Sequence, residues 1–213
     1  MEADKIRIKT FLTIISIILI IEIFFSITIF KIFHNNLASI GVLRLAEIFF
    51  MILVVLKYGR GAGDIGLASS SLTSGIIKGF IWSVCFLAVV SVIALIIFFT
   101  GTNPLTLLKL NLPKGTGDLI LFLVIAGIVG PVAEEIFFRG IIFGFFRRWG
   151  VFTALVLCTA FFVLLHNIKG FPLIQVAGGI LFAVAYEVEG NLMTPITIHI
   201  LGNMAIFALA LVQ

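Results

Sequence analysis

Glu134 and Glu135 stand side by side in GPVAEEIFFRG (130–140), with Arg139 four residues beyond and apolar neighbours on both sides. On a helix, Glu135 and Arg139 share one face with the acid N-terminal to the base, the favourable order for a pair. Glu134 lies about 100° further round the same helix, so one arginine cannot readily serve both carboxylates. The spacing predicts a Glu135–Arg139 ion pair and leaves Glu134 without a local partner. An ionisable side chain inside a membrane costs at least about 2.5–3.5 kcal/mol on insertion scales, and it normally faces a bundle interior or a wet cavity. There, desolvation moves a carboxyl that lacks a compensating cation toward the working range of a general base. The bland alternative is an interhelix salt bridge of all three charges that only locks packing.

The histidines weigh against the bland alternative. His166 closes FFVLLHN with Phe162 one turn back, and His199 opens HILGN with Asn203 one turn on, each pair sharing a helix face. Gly202, beside Asn203, lets a backbone or ligand approach closely. His34 falls in the turn after the first apolar stretch and reads as a solvated loop residue. A single histidine in a membrane helix is ordinarily a satisfied hydrogen-bond partner. Two of them, with Asn203 and the carboxylates on separate helices, read as a site. His166, His199 and Glu134 would also make a two-histidine, one-carboxylate zinc set with an open position, so zinc stands as the alternative cofactor. The H-E-x-x-H helix of ordinary zinc proteases is absent.

Other polar residues read as structural. Ser83, Ser91, Thr159 and Thr197 lie in no G-x-S-x-G turn and suit helix packing. Arg44 and Glu47, three apart, are expected to pair, and Glu22 to make an interhelix hydrogen bond. Glu187 and Glu189 mark a helix end, while Gly140 with Gly144 and Gly178 with Gly179 look like close-packing faces. Cys85 and Cys158 fall in apolar spans as small packing residues, with no CxxC between them.

Positioning such residues requires membrane helices. Of 213 residues, 62% are hydrophobic and 11% charged, far from the composition of a soluble domain. The charge balance of +4 comes from cations that flank apolar segments, which suits membrane orientation and gives no nucleic-acid footprint. The first apolar stretch, Phe11 to Phe30, exceeds a signal-peptide core of about 7–15 residues and reads as a retained helix. No lipidation motif is recognised. On a ruler of about 20 residues per span, helices are expected at 10–33, 38–57, 76–99, 118–147, 151–168, 172–188 and 192–212. The fold class is an all-α polytopic bundle of about seven to eight transmembrane helices around a polar intramembrane cavity. Gly127, Gly130 and Pro131 are expected to bend or break the long fourth helix. The segments 59–66, 100–104 and 112–118 read as loops, and 66–75 as an interfacial linker. Lys5, Arg7, Lys9, Lys57, Arg60, Lys78, Arg147 and Arg148 against Lys31, Lys109, Lys114 and Lys169 favour an inside N-terminus. Counting about 1.5 Å per residue along these spans puts Glu134 near mid-membrane, His166 near the outer end and His199 nearer the inner end.

Glu134-Glu135-x-x-x-Arg139, Phe162-x-x-x-His166 and His199-x-x-x-Asn203, in this order, resemble the CPBP family. These are intramembrane proteases typified by type II CAAX prenyl endopeptidases and the bacterial Abi (bacteriocin self-immunity) proteins. The likeness covers roughly residues 115–210. It divides one integral membrane domain into N-terminal helices without a readable motif (1–110) and CAAX-protease-like helices (111–213). The resemblance implies an endopeptidase that cuts a membrane-associated peptide or protein. In it Glu134 is the general base helped by His166, His199 and Asn203 donate to the oxyanion, and Glu135 with Arg139 supports the site. The family is often labelled metalloprotease; its CAAX members look glutamate-dependent and metal-free, and no cofactor is the favoured reading here. An integral membrane location follows, in the plasma membrane if the source is prokaryotic. Two rivals use the same residues: a non-catalytic immunity or scaffold protein, and a proton-coupled transporter with its relay through Glu134 and the histidines. Transport favours paired broken helices in both halves, and only Gly130-Pro131 offers a break.

Overall fold

Long runs of Leu, Ile, Val and Phe give the backbone no polar partner in lipid except itself, so the chain closes its hydrogen bonds within helices. The computed structural model describes residues 6–29, 36–104, 110–166 and 172–212, and no strand occurs among them. Helix α1 is Ile8–Phe24, which runs on into a wide π-helical turn, Phe25–Ile29. Helix α2 is Leu37–Tyr58, started by Asn36, whose side chain accepts from Ser39 N–H at 2.8 Å. Helix α3 is Leu72–Phe99, and α4 is the long, wound and rewound stretch Thr116–Trp149. Helices α5 (Val151–Leu165), α6 (Leu173–Glu189) and α7 (Met193–Leu211) complete the described bundle.

Among the described residues, the seven-helix reading holds. Ile8–Thr28, Leu37–Tyr58, Ser69–Phe99, Thr116–Trp149 and Met193–Leu211 are long and apolar enough to cross a membrane. Helices α5 and α6, of 15 and 17 residues, are shorter than the usual span of about 20. The expected end of the fifth helix, and His34, Lys31, Lys109 and Lys169, lie outside the described residues. The segment expected as a linker begins helical structure early, with a 3₁₀ turn at Ser69–Ser71 leading into α3.

Helix α3 touches the bundle at its foot. Gly75 and Gly79, one turn apart, sit against Asn191, Thr194 and Thr197 of the α6–α7 turn and α7, the close approach that small residues allow between membrane helices. Thr194 Oγ1 donates to Gly75 O at 3.2 Å and Asn191 Nδ2 to Ser71 O at 2.6 Å. Most of the rest of α3 faces outward. Arg44 pairs with Glu47 at 2.6 Å and Glu22 at 3.3 Å, as expected, and so ties α1 to α2. Arg147 holds Glu187, while Lys78 and Trp82 hold Glu189. Gly140 lies against Ile65 and Leu192, Gly144 against Ile6, and Gly179 against Thr159. Cys158 is buried with its Sγ 3.2 Å from Phe138 O, whereas Cys85 is exposed, so the packing reading holds for Cys158 alone.

The expected spread of the site residues in depth does not hold. Helices α4 and α5 form a hairpin about Gly150, whose φ of 103° only glycine adopts readily. Counting back from Trp149 to Glu134 and forward from Val151 to His166 gives the same rise, about 22 Å. Helix α7 does not start at a membrane surface either. Leu192 N–H donates to Gly66 O at 3.0 Å, and Leu192 is fully buried beside Gly140 of α4. Gly140 follows Glu134 by about 9 Å of helix and His199 follows Leu192 by about 10 Å, which brings the two to one level.

Candidate active site

The stretch that presents the carboxylates is not a regular α-helix. Wide π-turns, Ile125–Val129 and Ile136–Phe143, flank a short α-helical stretch, Gly130–Glu135. Proline lacks the N–H that continues an α-helix and its ring collides with the carbonyl four residues back, so Pro131 accounts for the upstream wide turn. The predicted break is therefore a widening, and such turns are frequent at functional sites.

Glu135 and Arg139 pair as the spacing predicted, with Arg139 Nη1 donating to Glu135 Oε1 at 3.0 Å and both side chains fully buried. Arg139 Nη2 donates to Gly179 O at 3.2 Å. Its guanidinium lies 4.6 Å from the Phe162 ring centroid and 5.1 Å from that of Phe182, an aromatic enclosure that stands in for water around the cation. Glu135 Oε1 also meets His199 Nδ1 at 2.8 Å, and the His199 ring stacks on Phe182 at 4.7 Å. Three groups from α4 and α7 thus form one buried chain, Arg139–Glu135–His199.

Glu134 points the other way, as its place on the helix requires. Its Oε2 lies 3.7 Å from His166 Nε2 and 3.9 Å from His199 Nε2. Its side chain keeps 26% of its accessible surface and that of His166 28%, against 7% for His199. His166 caps α5 with its own ring: Nδ1 lies 2.6 Å from Phe162 O, one of the carbonyls a helix end leaves without a backbone donor. A carbonyl only accepts, so Nδ1 carries a proton and, in the neutral ring, Nε2 turns a lone pair toward Glu134. The separations from Glu134 exceed a direct hydrogen bond and leave room for a shared atom on the open side.

Glu134, His166 and His199 are thus brought together from three helices. Asn203 lies one turn beyond His199, and its Nδ2 donates to Ala126 O at 3.0 Å, which commits one amide hydrogen to the α4 backbone. Nothing packs where a Gly202 side chain would stand. Among the described residues, no group of three or more His, Cys, Asp or Glu side chains converges in a way that could hold a metal ion.

Residues 116–205 match the family model described as Type II CAAX prenyl endopeptidase Rce1-like. The match covers less than half of the chain. It spans the three motifs from Glu134 to Asn203, and α1 to α3 lie outside it. YdiL of Bacillus subtilis (strain 168), described as a putative membrane peptidase, is 33% identical over 84 residues, 39% of this chain and 34% of that protein. The membrane-embedded CAAX protease MroQ of Staphylococcus aureus (strain USA300) is 32% identical over 90 residues, 39% of this chain and 36% of that protein. The chain thus spans about a third of the length of each of these curated relatives. No solved structure matches the chain.

Some members of the site carried no usable signal in the sequence. Phe182 is one phenylalanine among 23, and nothing in its spacing marks it as the ring under both His199 and Arg139. Gly179 was legible as a close-packing glycine, but its carbonyl as an acceptor for Arg139 was not.

Proposed function

We propose that the chain is an intramembrane endopeptidase that cuts a peptide bond in a membrane-associated protein or peptide, using water activated by Glu134 and His166. The observation that carries the reading is the convergence of both histidine Nε2 atoms on Glu134 Oε2, with that side chain still partly open. A water in this opening donates one hydrogen to the Glu134 carboxylate and the other to the His166 lone pair, which aims its own lone pair at the substrate carbonyl. Glu134 takes the proton as the oxygen adds to the carbonyl carbon, then passes it to the departing amine.

His199 serves the oxyanion. To donate through Nε2 while Nδ1 donates to Glu135, its ring must hold both protons. Glu135, itself paired with Arg139, lies against that ring, so the buried ion pair acts on the reaction through His199. Charge then balances across the site: two carboxylates against Arg139 and His199. Asn203, through its second amide hydrogen, is the companion donor.

Water activation in this reading proceeds without a metal ion, and this has a direct test. 1,10-Phenanthroline should leave cleavage of a reporter peptide by the purified protein unchanged once detergent effects are controlled, and elemental analysis should find no stoichiometric zinc. A zinc ion whose removal and return carry the activity with them would replace this mechanism by zinc-assisted hydrolysis.

A further inference from the structure

Asn203 is committed to a backbone carbonyl, and the identity of that carbonyl explains why. In the wide turn Ile125–Val129, hydrogen bonds run from residue i to i−5: Gly130 N–H donates to Ile125 O. Continuing that register, the donor for Ala126 O is residue 131, a proline with no N–H to give. Asn203 Nδ2 supplies the missing bond at 3.0 Å. Beside it, Gly127 has no side chain, and Met204 Cε lies only 2.5 Å from where a Cβ would stand. Helix α7 therefore presses on α4 at the two residues where the wide turn exposes its backbone.

A π-turn takes in one extra residue, so it rotates everything after it by about 100° relative to a straight α-helix. Ala126 and Glu135 are nine positions apart, which puts them on opposite sides of a regular helix. The extra residue swings the Glu134-Glu135 segment back toward the side that α7 occupies. There His199 receives Glu135 at 2.8 Å, one turn along α7 from Asn203. The two helices are tied at both levels by the same turn of α7.

We infer that Pro131 and Asn203 form a two-part device that fixes the rotation of the carboxylate segment. Pro131 prevents the wide turn from relaxing to α-helix, and Asn203 replaces the N–H that Pro131 removes. Pro131 and Asn203 are positioning residues in this device; its kinetic consequence rests on the reading of Glu134 as the base, and its effect on stability does not.

The test is a double-mutant cycle on the full chain in detergent, reading thermal midpoint and, with a reporter peptide, kcat and KM. Asn203→Ala in the natural background leaves the half-buried Ala126 O without a donor and should lower the thermal midpoint by roughly 3–10 °C. With Pro131→Ala, residue 131 has an N–H of its own, so adding Asn203→Ala should lower the midpoint by no more than a small fraction of that. Pro131→Gly restores the same N–H with no side chain and should reproduce the non-additivity. Pro131→Ala alone should keep or raise the midpoint and lower kcat at least about tenfold with KM little changed, because the segment can now rotate. An equal loss of midpoint from Asn203→Ala in all three backgrounds would overturn the device. If the unsubstituted protein cleaves no reporter, the peptidase reading fails, and the thermal cycle still decides the device by itself.

Discussion

Glu134→Ala is expected to lower kcat by about 10²–10⁴, the usual contribution of a positioned general base, while the protein still inserts and folds. The two halves of this expectation come from the same geometry. Glu134 keeps a quarter of its side-chain surface, and Arg139 pairs with Glu135 instead, so the loss of Glu134 strands no buried cation. It does remove the only carboxylate among the described residues that faces both histidines. Glu135→Ala should act differently, because it strands the fully buried Arg139 and so lowers the folded fraction. Its kcat per folded molecule should fall less than that of Glu134→Ala. Reporter cleavage normalised to folded protein, with thermal melting alongside, separates the two. Full activity in Glu134→Ala would remove Glu134 from the reaction.

Arg139→Leu should be among the most destabilising single substitutions in the chain. It leaves Glu135 buried with His199 as its remaining partner, and breaking a buried pair from one side costs about 3–5 kcal/mol. Arg139→Lys should recover only part of this. An ammonium can meet Glu135, but it lacks the planar fork that reaches Gly179 O at the same time and lies against Phe162 and Phe182. Pairing Arg139→Leu with Glu135→Gln should recover more stability than Arg139→Lys, since no unpaired charge remains. Denaturation in detergent measures all three. A loss under about 1 kcal/mol in Arg139→Leu would mean that the pair is solvated rather than buried.

The spacing of Glu134, Glu135 and Arg139 was enough to assign the arginine to Glu135 and leave Glu134 free, because side chains four apart on a helix must meet. The helices themselves were legible from apolar length, with ends within a few residues. What failed was depth. Treating each helix as starting at a membrane surface separates His166 from His199, whereas the turn before α7 is buried against Gly66 and Gly140. Tertiary packing of the 3₁₀ segment Ala62–Ile65 and the α6–α7 turn sets that level, and no local pattern encodes it. The wide turns in α4 were visible only as Gly-Pro punctuation. The Asn203–Ala126 bond depends on a hydrogen-bond register that a sequence does not show. His199 as the link between both carboxylates likewise needed the α4–α7 contact; its own neighbours, Ile198 and Ile200, say nothing of it.

The central claim is that Glu134, set against His166 and His199, drives hydrolysis of a peptide bond by water. The most direct measurement incubates the purified full chain with a panel of membrane-anchored reporter peptides in ¹⁸O-water and reads fragments and intact protein by mass spectrometry. The account predicts cleavage by the natural protein with one ¹⁸O in each new carboxyl terminus, no acyl adduct on the protein, and no fragments above background from Glu134→Gln. Fragments released equally by Glu134→Gln, or a peptide covalently attached to the protein during turnover, would contradict it.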